Sequence, residues 1–255
     1  MDVTVAETFL LLTLDEAGKD AAGAGSDAGL AAALVADLVL AGALQLDGEV
    51  LTPTPAGPPA TDNVPLRQAY TALAAAEPAP TPDDALQTVL RELSPVRETI
   101  ATRLVAAGVL GTERGRIFRV VRHPIAEPGA GDTARAGLIA ALSTDQDPRD
   151  SAPAQAPRPD TVVLLALLRP FDLLEQLEPA PHRAEAAARA AALIDAAELP
   201  RILGGAVERV RGTLVAALAA AAASTAAAES LPGAGRTKMR TGNTSCGRPN
   251  TIPVV

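Results

Sequence analysis

The sequence predicts a mainly α protein, a single compact helical domain with short β-hairpins. Three observations predict it. Ala and Leu, strong helix formers, dominate an apolar fraction of 48%, whereas aromatics are 2% and Trp is absent. Apolar residues recur at helical spacing in segments separated by Gly- and Pro-containing breaks. Two segments alternate as strands do, each around a glycine-bearing turn. At 255 residues the chain is long enough to bury a core of Leu, Val, Ile and Ala.

The elements follow in order. Phe9–Leu14 reads as a short core helix, followed by a small, Gly-rich flexible loop over 17–26. From Gly29, the spacing of Leu30, Leu34, Val35, Leu38 and Val39 predicts a helix ending at Ala41-Gly42. Leu44–Leu51 alternates around Asp47-Gly48, a hairpin signal, and Pro53–Pro59 is a loop. Two helices are expected over 64–77 and 83–92. Another opens at Ser94-Pro95, with Ser94 as N-cap and Pro95 at the first helical position, and carries Val96, Ile100, Leu104 and Val105 to Gly108. A second hairpin over 110–122 turns at 113–115. Leu38–Leu44 parallels Leu104–Leu110, either as an internal repeat or as convergence on the same cap and turn. Beyond lie a helix over 133–142, a Pro- and Asp-rich linker over 145–160, and a helix over 161–177 broken at Pro170. Two Ala-rich helices are expected over 182–199 and 205–228, the second with Val207, Val210, Leu214 and Leu218 on one face. Residues 1–230 form the domain and 231–255 a disordered polar tail.

Composition and motifs exclude much. A net charge of −8 disfavours non-specific nucleic-acid binding. The one cysteine, Cys246, fits a reducing compartment. The N-terminus lacks the basic start of a secretory signal, and no apolar run reaches the roughly 18–20 residues of a membrane span. A soluble cytoplasmic protein is expected, touching a membrane from one face. The two histidines, His123 and His182, suit a turn and a surface better than proton transfer. Asp145, Asp147 and Asp150 lack calcium-loop spacing, and no zinc cluster, phosphate loop, dinucleotide fingerprint or Gly-x-Ser-x-Gly elbow appears. No catalytic residue and no cofactor is expected.

One stretch runs against the global charge. Between 97 and 122 stand Arg97, Arg103, Arg114, Arg116, Arg119 and Arg122 against only Glu98 and Glu113. The second hairpin interleaves this charge with bulk in Arg116-Ile117-Phe118-Arg119-Val120-Val121-Arg122. Arginines near an anionic bilayer gain about 1 kcal/mol each, and Ile117 or Phe118 suits the interface. Arg97 and Arg103 are the candidate headgroup ligands. Arg114, Arg116, Ile117, Phe118 and Arg119 form the candidate membrane-contact hairpin.

These same residues carry a resemblance. Glu7–Asp15, Gly29–Leu44, Val96-Arg97-Glu98 with Leu104–Leu110, and Arg116–Val121 followed by His123-Pro124 are, in this order, similar to the Golgi phosphoprotein 3-like family. The resemblance implies a single compact helical domain that, in eukaryotic members, binds phosphatidylinositol 4-phosphate, touches the membrane through its hairpin, and links Golgi glycosyltransferases to coat proteins. It places Arg97 on one of the family's headgroup arginines. Ser94, Ala31 and about Ala22 fall where other arginines and a Trp would stand, which depletes the pocket. It also begins near the first residue, leaving out a coat-binding extension. The Ala-, Pro- and Arg-rich composition fits a GC-rich bacterial genome.

The expected partner is an anionic phospholipid surface on the cytoplasmic face of a membrane, with a membrane-protein client and self-association through the hairpin's edge strands as further contacts. Two other readings use the same residues. A helix followed by an Arg-rich hairpin is also a winged-helix pattern, against which stand the acidic total and a recognition helix with only Arg97 and Arg103. A helical protein-interaction scaffold would spend the arginines on protein contacts.

Overall fold

The computed structural model describes residues 3–15, 17–114, 121–143, 157–174, 177 and 183–229. The chain divides into two units, Met1–Ala216 and Ala217–Val255. The expected tail over 231–255 lies outside the described residues, as do His182 and most of the acidic linker.

The architecture is mainly α, as the sequence predicts. The helices are α1 (Val5–Thr13), α2 (Ser26–Leu40), α3 (Val64–Ala74), α4 (Pro82–Glu92), α5 (Val96–Ala106), α6 (Asp132–Leu142), α7 (Pro159–Leu168), α8 (Arg183–Asp195) and α9 (Glu198–Glu229). Two antiparallel hairpins interrupt them: β1 (Leu44–Asp47) with β2 (Val50–Pro53), and β3 (Glu113–Arg114) with β4 (Val121–Arg122).

α2 is the axis of the core. Residues 28–38 are all buried, and α1, α3, α4, α5 and α7 pack around it. A helix enclosed on every side must be apolar all round, which is why its pattern carries so little polar face. Four alanines, Ala31, Ala32, Ala33 and Ala36, are fully buried there. α7 is enclosed likewise, with Val162–Leu168 buried. Phe9 of α1 meets Phe171, beyond α7, edge to face with ring centres 5.9 Å apart, and Arg211 of α9 lies over the Phe171 ring at 5.5 Å.

The start of α1 is closed from two sides. Thr4 and Glu7 form a capping box. The N–H groups of Val5 and Ala6 donate to the two carboxylate oxygens of Asp37, at 2.8 and 3.0 Å. Asp37 is thus buried on α2 as a cap for another helix. Burial pushes its carboxyl up from the ordinary 3.8 to about 7, against the pull of those two N–H donors.

Two helix–hairpin units are built alike. α2 ends on Gly42 (φ 68°) and α5 on Gly108 (φ 78°). At each, two backbone bonds close the helix: Ala43 to the Leu38 carbonyl and Gly42 to Val39, then Val109 to Leu104 and Gly108 to Val105. The strand register after each glycine matches. Leu44 pairs with Pro53 and Thr54 donates to Ala43, while Leu110 pairs with Ile125 and Ala126 donates to Val109. The parallel seen between 38–44 and 104–110 therefore extends to the helix end and the first strand pairing of each hairpin.

Several expectations are corrected. The first hairpin closes through Gly48-Glu49, with Asp47 still paired to Val50 and Gly48 at φ 61°. The second does not turn at 113–115, because Glu113 and Arg114 pair with Arg122 and Val121. The loop over 17–26 is tied by hydrogen bonds, including Asp15 N–H to Lys19, Gly18 N–H to Asp15 and Ala21 N–H to Thr13, and contains a 3-10 turn at Gly23–Gly25. α9 starts at Glu198, not at Gly205. Pro200 falls in its first turn, where no helical N–H bond is lost, and Leu203, Ala206 and Val207 are buried. The side chains of Leu214 and Leu218 lie outside the described residues.

Candidate functional site

α5 positions the candidate residues. The sequence suggests Ser94 as its N-cap, but the helix starts at Val96, Pro95 holds the cap position, and no side chain of its own caps it. The Arg97 N–H donates instead to Asp27 Oδ1 at 2.8 Å. A carboxylate from α2 therefore does the capping, on the positive end of the α5 dipole.

Three charged side chains of α5 each reach a different element. Arg97 Nε lies 3.1 Å from Asp20 Oδ2 on the loop after α1. Glu98 Oε2 lies 3.1 Å from His123 Nε2, just past β4. Arg103 pairs with Glu7 of α1 and sits 3.6 Å from Asp62 Oδ1. Glu7 is 2% exposed, so the Arg103 pair is an internal one. The two candidate headgroup ligands are thus separated in task, one tied to the loop and the other to α1.

The hairpin carries the remaining candidates. Arg114 lies in β3, opposite Val121. Arg116, Ile117, Phe118 and Arg119 lie outside the described residues, within the 115–120 segment that joins the paired strand ends. Arg122 is exposed and makes no ion pair with any described residue, while its neighbour Val121 is half-buried. His123, expected to serve a turn, is buried among polar partners: Nδ1 lies 3.2 Å from the Gly111 carbonyl oxygen. The only sequence signal for this was a histidine before proline.

A family model described as Golgi phosphoprotein 3 (GPP34) matches residues 5–230. The chain belongs to the GPP34 family. No curated protein matches it. GPP34 is not a known enzyme family.

Against the GPP34 resemblance, the surroundings of Arg97 are acidic. Ala31 is fully buried inside α2, Ala22 is half-buried and Ser94 is exposed. Asp20 faces the Arg97 guanidinium and Asp27 accepts from the Arg97 backbone N–H, so the residue stands between two carboxylates, one of them paired with its cation. Asp20 pairs with the guanidinium from the loop side, with its side chain 10% exposed and that of Arg97 25%. An arriving phosphate would compete with an existing ion pair, one in which Arg97 Nε and Asp20 Oδ2 are close but not hydrogen-bonded.

A separate concave region of the GPP34 chain, a cleft of about 960 Å³, is lined by Val3, Val5, Leu40, Leu66, Val109 and Leu164 with Asp37 and Asp160 among the polar groups. Two of its carboxylates are in use, and a third, Glu127, stands on its rim. Asp37 caps α1, and Asp160 accepts from Arg158 and from the Thr161 N–H at the start of α7. Among the described residues no cluster of three or more His, Cys, Asp or Glu has a metal-binding arrangement, and no helix is long and apolar enough to cross a membrane.

Proposed function

We propose that this protein is a non-enzymatic peripheral membrane module that binds anionic phospholipid headgroups through the β3–β4 hairpin. The observation that carries the reading is the contrast among its arginines. Arg97 and Arg103 are engaged by Asp20 and Glu7, whereas Arg122 is exposed without an ion pair to any described residue. Its sequence neighbours Arg116 and Arg119 flank Ile117 and Phe118, a pairing of cations with bulk that suits the headgroup–acyl boundary. In this reading Arg114, Arg116 and Arg119 attract phosphates, and Ile117 and Phe118 enter the interface. Residues 1–230 are the membrane module, on the cytoplasmic face, and 231–255 are a polar tail.

Family membership supports phosphatidylinositol 4-phosphate as the ligand. The acids around Arg97 favour a broader preference for anionic lipid, with Arg97 and Arg103 contributing field rather than direct contacts. A membrane-protein client fits the same orientation.

The test is co-sedimentation with neutral, phosphatidylinositol- or cardiolipin-containing, and phosphatidylinositol 4-phosphate-containing liposomes at low and moderate salt. Binding to every anionic composition, weakened by salt, is expected. The variant R116E/R119E/R122E should bind at least about a hundredfold more weakly, since three lost attractions of about 1 kcal/mol become repulsions. Circular dichroism should show it folded. Unchanged binding by this variant, or no binding of the parent to any anionic lipid, would remove the proposal and favour a protein-interaction scaffold.

A further inference from the structure

His123 has two ring nitrogens and both face acceptors. Nδ1 is 3.2 Å from the Gly111 carbonyl oxygen and Nε2 is 3.1 Å from Glu98 Oε2. A neutral imidazole has one N–H, so it donates to one of these and sets a lone pair against the other oxygen. The doubly protonated ring donates to both and forms an ion pair with Glu98.

The contact sits where three elements meet. Gly111 leads into β3, and its N–H donates to the Pro124 carbonyl at 2.7 Å, so His123 joins the entry of the hairpin to its exit. Glu98 ties both to α5. From the third side the loop after α1 presses on the same backbone: a Cβ on Gly18 would lie 2.5 Å from the His123 carbonyl carbon. The charged groups on these elements are Arg97, Glu98 and Arg103 on α5, Asp15, Lys19 and Asp20 on the loop, and Glu113, Arg114 and Arg122 on the hairpin strands, with Arg103 turned to Glu7 of α1. Arg97 and Asp20 neutralise each other, which leaves Glu98 as the carboxylate in contact with the ring.

We infer that His123 and Glu98 are positioning residues for the hairpin, forming a proton-dependent clasp at its base. With two protons the imidazole holds both the Gly111 carbonyl and Glu98 and fixes the hairpin to α5; with one, it holds only one of the two. The clasp stands on this geometry alone, and its consequence for membranes rests on the hairpin being the contact proposed above. A fixed hairpin presents its arginines in one orientation, so binding to an anionic surface should weaken as the second proton leaves.

The discriminating variant is Glu98→Gln. Glu98 is half exposed, so the change spares the core. A glutamine amide donates to an unprotonated Nε2 while Nδ1–H still serves Gly111, so the clasp closes on a neutral ring. In the full chain, hydrogen–deuterium exchange would follow the amides of Gly111 and Ala126, corrected for intrinsic rates, in wild type and variant. Wild-type protection measured at about pH 5 and 8 should be on the order of tenfold lower at the higher pH, and that of E98Q should stay flat. Binding to phosphatidylcholine vesicles containing phosphatidylserine should follow the same two profiles. Flat protection in the wild type, or the same profile in both proteins, would overturn the clasp. Separated protection profiles with no vesicle binding by either protein would support the clasp and overturn the membrane reading instead.

Discussion

α2 and α5 both end on a left-handed glycine that turns the chain into a hairpin with the same register, yet the two units meet the rest of the molecule differently. α2 is enclosed by five helices, and its one buried acid, Asp37, caps α1. α5 keeps a charged face and sends Arg97, Glu98 and Arg103 to three separate elements. The hairpins diverge in the same sense. β1–β2 closes through Gly48-Glu49 between acidic and apolar residues, and Leu51 N–H donates to the Pro80 carbonyl, which covers one edge. β3–β4 brackets a longer segment rich in arginine. Cap and register chemistry can therefore be shared while charge differs: both units bury apolar residues, and only the second also carries a cluster of arginines, the surface proposed above.

The comparison breaks most sharply at Arg103. If α5 is a connecting element, Arg103→Ala strands the Glu7 carboxylate in the core and should destabilise the fold by about 3–5 kcal/mol in urea unfolding. The double variant E7Q/R103M should recover most of that loss, because it removes both charges. Near-normal stability of Arg103→Ala together with lost vesicle binding would make Arg103 a headgroup ligand instead of a strut.

Asp37 tests the α2 side. Its folded-state carboxyl is raised to about 7 from 3.8, so the folded protein holds this proton more tightly than the unfolded chain. That contribution is fully present below about pH 4 and is lost as pH rises through 7, with a total of a few kcal/mol. Asp37→Asn cannot lose this proton. Unfolding free energies at about pH 5 and 8 should therefore show wild type losing stability relative to the variant at the higher pH. A difference between the two proteins that does not change with pH would mean that the N–H groups of Val5 and Ala6 keep Asp37 ionised throughout.

The sequence reveals the elements of both units better than their connections. Helix periodicity, Gly42, Gly108 and the alternation beyond each glycine are local signals, and they locate the helices and hairpins to within a few residues. The ties of Arg97 to Asp20, Arg103 to Glu7 and His123 to Glu98 join positions 77, 96 and 25 residues apart, and no local rule selects those partners from the other acids. Asp37 was hidden for another reason. It sits in an otherwise apolar helix and reads as a stray polar residue, until the two open N–H groups of α1 are brought against it. Grouping arginines by sequence proximity thus joined two that are paired with acids of the fold to those proposed for the surface.

The smallest effect gives the closest comparison of the two units. At Gly42 and Gly108 no heavy atom lies within 4 Å of an added Cβ, so alanine there meets no neighbour and pays only for its left-handed backbone. Each of Gly42→Ala and Gly108→Ala should destabilise by about 1 kcal/mol, equal within error, if both glycines do the same structural work. Vesicle binding should then separate them. Gly42→Ala disturbs the entry to β1–β2, which has no membrane role in this reading, and should leave binding unchanged. Gly108→Ala disturbs the entry to β3–β4 and should lower binding several-fold at equal stability, because the arginines lose a fixed presentation. Equal binding by both variants would mean that the second hairpin acts through its charge alone, with no dependence on how α5 aims it.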